Sequence, residues 1–150
     1  MKQYDVFISH ATKDKNSYVD KLVEAIKKEG LSVFYDTDCI LWGDSIPEKI
    51  AEGLTNCTLA VVVISKHYFG RSWTEYEIRT LLNRQNQEKN KLVMPILYGI
   101  SKKQLIMHYP ELGNILFKYS KSCSCEEMAR ALREEINRRK STNDNGERDD

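Results

Sequence analysis

Leu59-Ala60-Val61-Val62-Val63-Ile64 is an unbroken apolar run rich in β-branched residues. A strand of that kind is buried on both faces, which is the habit of a central strand in a parallel sheet. Downstream, Ile78, Leu81 and Leu82 set a helical stripe in a segment from Trp73 to about Gln87. Ser72-x-x-Glu75 has the form of a capping box at its start. Residues 85–91 are polar and turn. Leu92-Val93-Met94-Pro95-Ile96-Leu97-Tyr98 follows as a fourth strand. Pro95 removes one ladder donor there, which predicts an irregularity or an edge-facing position. Residues 99–113 are weakly patterned, with a short helix around residues 103–107 and a turn at Pro110 and Gly113. Ile115-Leu116-Phe117 reads as a short fifth strand, and Ser124-x-x-Glu127 caps a last helix with Met128, Leu132 and Ile136 on one face.

Upstream of the central run, Ser45-x-x-Glu48 is a further capping box. It opens a short helix through Ile50 to about Leu54, with Pro47 tolerated in the first turn. Residues 36–44 form a loop carrying Trp42 and Gly43. Leu31 to Tyr35 is a second strand. Val19, Leu22, Val23 and Ile26 follow helical spacing until Gly30. Residues 10–16 are polar, and Tyr4-Asp5-Val6-Phe7-Ile8-Ser9 is the first strand. Strands alternating with helices give a doubly wound α/β fold: a flavodoxin-like five-stranded parallel sheet of order 2-1-3-4-5, flanked by helices. That order puts a ligand crevice at the carboxyl ends of strands one and three.

The 150 residues suit one domain, with 41% apolar and 30% charged side chains. Order is expected over residues 1–139; residues 140–150 hold almost no apolar side chain and are expected to form a disordered tail. Net charge is +1, from 23 basic and 22 acidic residues, so neither a nucleic-acid nor a membrane partner is indicated. No apolar run reaches transmembrane length, and the N-terminus enters a strand without a signal-peptide core. The four cysteines, Cys39, Cys57, Cys123 and Cys125, show no disulfide or C-x-x-C framework. Reduced thiols in the cytoplasm are therefore expected. Cys123-x-Cys125 has the wrong spacing for the common structural zinc sites, and no metal is expected.

Between the third strand and the helix after it lie two acids. Glu75 belongs to the capping box and reads as structural. Glu77 stands four residues after Trp73, on the same helix face. Taken alone it has the ordinary reading of a solvated helix carboxylate. The strand order changes its setting, because residues 65–72 leave the third strand beside the predicted crevice.

Three stretches in order resemble a TIR (Toll/interleukin-1 receptor homology) domain over roughly residues 4–139. Tyr4-Asp5-Val6-Phe7-Ile8-Ser9-His10-Ala11 resembles the family's opening strand and loop. Phe34-Tyr35-Asp36 through Gly43-Asp44-Ser45-Ile46 resembles its second strand and the long loop that follows. Ser72-Trp73-x-x-x-Glu77 resembles the motif of the TIR domains that cleave NAD+. The resemblance implies Glu77 as catalytic residue, with Phe7, Ser9, His10, Ala11, Asp36 and Trp73 on the substrate. It implies an assembly loop of Asp36, Trp42, Gly43 and Asp44 that supports TIR–TIR self-association. Plainer roles stay open for several of these. Trp73 also suits a partly buried core ring, His10 an ordinary loop histidine and Asp36 a turn initiator. Trp42 also suits a ring folded back on its own domain, and Gly43 a backbone turn.

The implied reaction is cleavage of the nicotinamide–ribose bond by an NAD+ nucleosidase, giving nicotinamide and ADP-ribose or a cyclic form. Its implied setting is antiphage or stress signalling. An ordinary glycoside needs a general acid for its leaving group. NAD+ does not, because its nicotinamide is already a pyridinium and departs neutral. One carboxylate that stabilises the oxocarbenium-like ribose then suffices, with NAD+ as substrate and no cofactor. The family also contains non-enzymatic adaptors that act by homotypic assembly, which is the alternative reading. No receptor, repeat or sensor domain accompanies this one in the sequence, so a diffusible product or a separate sensor or effector protein is expected. A response-regulator receiver would need acids after the first strand and an aspartate ending the third, where this chain has Ser9-His10 and Ile64-Ser65-Lys66. Neither a P-loop, a dinucleotide-binding glycine fingerprint nor a nucleophile elbow is present.

Overall fold

The structure, a computed structural model, describes residues 4–35 and 39–148, with side chains described through residue 141. Five parallel strands form one sheet: β1 (Tyr4–Ser9), β2 (Val33–Phe34), β3 (Cys57–Ile64), β4 (Val93–Leu97) and β5 (Lys118–Tyr119). Their order is β2-β1-β3-β4-β5, as expected from the alternating pattern. Among the described residues, the helices that connect and flank them are α1 (Asp20–Lys28), α2 (Ile46–Thr55), α3 (Ser72–Glu88), α4 (Lys102–His108) and α5 (Cys125–Arg148). A 3-10 turn (Thr12–Asp14) and a π turn (Lys15–Val19) fill much of the stretch expected to be loop before α1.

The central run is buried from Leu59 to Ile64 and supplies both cores. Val61 and Val63 face α1 and α5 with Leu22, Ile26, Leu132 and Ile136. Ala60, Val62 and Ile64 face the other layer with Ile50, Leu54, Ile78 and Leu81. This is the period-two alternation of a strand covered on both sides. Pro95 sits within β4 opposite Val62. Tyr98 donates its N–H to Ile64 and Ser120 donates to the Leu97 carbonyl. Even-numbered residues of β4 therefore turn their backbone to β3 and odd-numbered ones to β5. The missing donor of Pro95 falls on the β5 side, below the first pairing at Ile96 and Lys118. The sheet loses no ladder bond.

Several local expectations need correction. The fifth strand forms at Lys118–Tyr119, not at residues 115–117. It is exposed and paired to β4 through its backbone, so no apolar pattern marks it. The Ser72 capping box does not form: Arg71 is the N-cap of α3, without a side-chain cap. Ser45 does cap α2 by position, but its side chain accepts no cap bond. The Ser124 box forms as expected, with Glu127 N–H donating to Ser124 Oγ at 3.1 Å and Ser124 N–H to Glu127 Oε1 at 3.3 Å. A capping box at Ser101 and Gln104, not foreseen, opens α4. At the C-terminus, helix α5 continues to Arg148 through most of the segment whose composition predicts a disordered tail. A helix makes its backbone bonds within itself, so it can outrun its apolar face, which ends at Ile136.

Candidate functional site

Gly70, at φ 75°, turns the chain from the β3 edge into α3. Around it, Glu75 accepts from the Gly70 N–H at 3.2 Å and from the Tyr109 hydroxyl at 2.5 Å. Glu75 is structural, as expected, but through these two donors. Thr74 Oγ1 donates to the Tyr68 carbonyl at 2.6 Å. Phe69 stacks on His108 with ring centroids 3.7 Å apart. This segment is thus tied at several points before α3 begins, and α3 leaves it in a fixed direction.

One turn further along α3, Glu77 is only 4% exposed. Its Oε1 accepts from Ser9 Oγ at 2.8 Å, at the carboxyl end of β1. The Ser9 hydroxyl in turn lies 2.7 Å from the Tyr68 hydroxyl. Glu77 lines a cavity of about 950 Å³. That is the upper end of the range for ligand pockets and suits a dinucleotide-sized molecule. The walls come from three segments: His10, Ala11 and Lys15 after β1; Ile40, Ile46 and Ile50 around the second loop and α2; and Arg71 with Trp73 at the start of α3.

Two cations line the same cavity as Glu77. Lys15 Nζ pairs with Asp20 Oδ1 at 2.9 Å and sits 5.2 Å from the centre of the Tyr35 ring. Asp20 also accepts from the Tyr35 hydroxyl at 2.5 Å. That hydrogen bond, with Lys15 after it, holds the Asp20 carboxyl below its ordinary value. Arg71 is fixed by its Nε donating to the His67 carbonyl at 2.9 Å. A cavity whose described lining holds one buried acid and two lysine or arginine cations can hold a ligand bearing a cationic ring at one end and phosphates beyond it.

The expected site residues separate into three groups. Glu77, Trp73, His10 and Ala11 do line the cavity. Phe7 does not: it is wholly buried and stacks on Phe34 at 5.0 Å, so it is a core side chain. Ser9 is also buried and meets Glu77 from behind instead of lining the cavity. In the expected assembly loop, Trp42 is fully exposed. Gly43 has φ 94°, and Asp44 closes the turn by accepting from the Leu41 N–H at 2.8 Å. Asp36 lies outside the described residues. Lys15, Arg71 and Tyr68 were not anticipated. The first two carry a signal in hindsight, as basic residues flanking the two crevice loops, whereas Tyr68 meets Ser9 across 59 positions and no local period reveals it. Cys123 and Cys125 pack against the core beside α1 and α5, and all four cysteines are free thiols. Among the described residues, no helix is long and apolar enough to cross a membrane.

Fold and cavity together define a doubly wound α/β domain with a buried carboxylate at the crevice of its first and third strands. A family model for the TIR domain matches residues 6–119, and the chain belongs to that family. It is 38% identical, over 77% of its length and 40% of the relative's, to the 2' cyclic ADP-D-ribose synthase BtTIR of Bacteroides thetaiotaomicron. It is 32% identical, over 91% of its length and 45% of the relative's, to the NAD(+) hydrolase TcpC of Escherichia coli O6:H1. It is 34% identical to the 2' cyclic ADP-D-ribose synthase AbTIR of Acinetobacter baumannii, covering 89% of this chain and 49% of that protein. The chain thus spans less than half the length of these relatives. Among solved structures, the TIR domain of the Toll-related receptor TRR-2 of Hydra magnipapillata superposes with a TM-score of 0.71 over 90% of this chain and 99% of that one. Its 21% identity speaks to the fold alone.

Proposed function

We propose that this TIR domain cleaves NAD+ at the nicotinamide–ribose bond, releasing nicotinamide and either ADP-ribose or a cyclic ADP-ribose. The observation that carries the reading is Glu77, a carboxylate 4% exposed at the floor of a cavity lined by Trp73, Lys15 and Arg71. A buried carboxylate needs stabilising partners, and one that lines a cavity is placed to meet a ligand that brings positive charge. NAD+ brings it twice: as the nicotinamide cation in the ground state and as the oxocarbenium-like ribose when the bond breaks. Glu77 stabilises the second form and accepts from the ribose hydroxyls. Trp73 walls the nicotinamide end, His10 and Ala11 the nucleotide side, and Lys15 and Arg71 balance the pyrophosphate. The reaction needs no cofactor or metal. The names of the BtTIR, AbTIR and TcpC relatives support the same substrate.

The reading carries a cytoplasmic setting, a role in antiphage or stress signalling, and activation by TIR–TIR contacts or a separate sensor protein. Trp42, fully exposed beside exposed Leu41, supports the self-association part. The same exposure favours the second reading, a scaffold that only assembles.

The deciding experiment measures nicotinamide release from NAD+ at high protein concentration for wild type, Glu77→Ala and Glu77→Gln. We expect release by wild type and a loss of about a hundred- to thousand-fold in both variants, with folding intact. Product analysis then separates ADP-ribose from a cyclic form. No release even from a crowded or tethered assembly would leave the scaffold.

A further inference from the structure

Ser9 and Tyr68 are both fully buried and lie outside the described cavity lining, yet they connect to its buried carboxylate, Glu77. The proton count gives the connection a direction. An ionised carboxylate only accepts, so Ser9 spends its single proton on Glu77 Oε1 at 2.8 Å. The 2.7 Å contact between Ser9 and Tyr68 must then use the tyrosine proton. The Thr74 carbonyl, 3.3 Å from the same tyrosine hydroxyl, is the weaker branch of that donor. The chain of donation runs Tyr68 to Ser9 to Glu77, and each donation polarises the next.

We propose that Ser9 and Tyr68 are positioning residues: a buried two-hydroxyl relay that keeps the Glu77 carboxylate ionised and aimed at the cavity. The proposal rests on the NAD+ reading above for its catalytic consequence, though not for its geometry. Burial disfavours a charged carboxylate, whereas donors to the charged form favour it. Other titratable and charged groups line the same cavity: His10 and Lys15 from the segment after β1, and Arg71 at the start of α3. The relay reaches Glu77 through hydrogen bonds between fully buried hydroxyls, shielded from solvent. Burial first, and Glu77's charge second, push the Tyr68 phenol well above its ordinary value, so it stays a donor throughout the working pH range. Thr74 and the edge-on ring of Tyr109, at a centroid distance of 6.3 Å, hold Tyr68 in place.

The test uses Tyr68→Phe, Ser9→Ala, their double variant and Ser9→Thr, each checked by thermal unfolding. The first readout needs no catalysis: the Glu77 carboxyl is followed by carbon NMR on glutamate-labelled protein, its signal assigned by loss in Glu77→Gln. Its titration midpoint should rise by about one pH unit in Tyr68→Phe and Ser9→Ala and return toward wild type in Ser9→Thr. In nicotinamide release, kcat should fall about tenfold with KM little changed, and the acid limb of the pH profile should move up with the midpoint. The double variant should be no worse than Ser9→Ala, because the tyrosine acts through the serine. An unchanged Glu77 midpoint in both single variants, or kcat losses that multiply in the double variant, overturns the relay. A shifted midpoint with no nicotinamide release from any form sustains the relay and overturns the NAD+ reading instead.

Discussion

Trp73 and Glu77 stand one turn apart on α3 and line the same cavity, yet Trp73 is 46% exposed and Glu77 is 4% exposed. The difference arises because α3 starts at the sheet's carboxyl edge. Ser72 and Trp73 at its start are exposed, and Glu77 one turn on meets β1 through Ser9. Among the described residues, the ring contact of Trp73 is edge-to-face with Tyr76, at a centroid distance of 6.0 Å. Trp73→Ala is therefore expected to change unfolding free energy by less than about 1 kcal/mol, whereas a core tryptophan would cost about 3–5 kcal/mol. Nicotinamide release should still fall by about tenfold or more, as the wall of the site is lost. Chemical denaturation beside the release assay checks both; a core-sized loss of stability would return Trp73 to the core.

Gly53 lies inside α2, where alanine is ordinarily favoured by about 1 kcal/mol. A Cβ there would stand 2.8 Å from Cγ and Cδ2 of Phe34. The Phe34 ring cannot yield easily, since Phe7 stacks on it at 5.0 Å and Tyr4 packs edge-on at 5.2 Å. Overpacking of this kind costs about 1–3 kcal/mol or more, so the clash should win over the helical gain. Gly53→Ala is expected to lower stability in denaturant unfolding. Gly53→Ala with Phe34→Leu should recover part of the loss; an alanine variant as stable as wild type would show that α2 can shift outward.

These cases show what was legible in the sequence. Strands β1, β3 and β4 announced themselves as apolar runs, because a buried parallel strand needs apolar side chains on both faces. Sheet order followed from the alternation with helices, and the place of Glu77 followed from sheet order. Strand β5 was misplaced because Lys118 and Tyr119 bury little and are recruited by the backbone of Ile96 and Leu97. The Ser72 box failed because the turn at Gly70 captured Glu75 first, with help from Tyr109, 34 residues away. Phe7 was drawn to the site by its neighbours in sequence. Strand alternation sends it instead to the layer of Phe34 and Ile50. Motif spacing located the catalytic candidate, but not the buried hydroxyls behind it, whose partners are distant in the chain.

Glu135 on α5 gathers three cations: Lys91 and Arg138 at 3.0 Å each and Arg139 at 3.5 Å. Lys91 leads into β4, so the cluster ties the last helix to the sheet. Burial pushes the Glu135 carboxyl up, but the Lys91 hydrogen bond and the charges of Lys91, Arg138 and Arg139 outweigh it and leave the group below its ordinary 4.5. A carboxyl lowered by folding adds stability that is complete above its unfolded value and is lost as pH falls through the folded one. Glu135→Gln should thus be less stable than wild type at pH 7, and the gap should close as pH drops from about 4.5 downward. High salt should narrow it at pH 7. Urea unfolding from pH 7 to 3 tests this; a gap independent of pH would make the cost one of packing.

Helix α5 runs to Arg148, but its described contacts with the rest of the domain end earlier. Ile136 is the last core side chain among the described residues, and Arg139 still reaches the Thr58 carbonyl at 3.4 Å and Glu135. Residues 140–150 carry Asn, Asp and Gly, which are poor helix formers, and an isolated helical extension of this length is marginal in water. Deleting residues 140–150 should therefore shift the thermal midpoint by no more than about 2 °C, because the extension's backbone bonds are lost with the residues that make them. Deleting from Ile136 onward should instead be severe, since it removes core apolar area and the Arg139 contacts. Amide hydrogen exchange gives an independent reading: protection should be strong through Ile136 and fall steeply after Lys140. A large loss of stability on removing residues 140–150 would mean that the extension packs on the domain or on a second copy, and the ordered domain would then extend beyond Arg139.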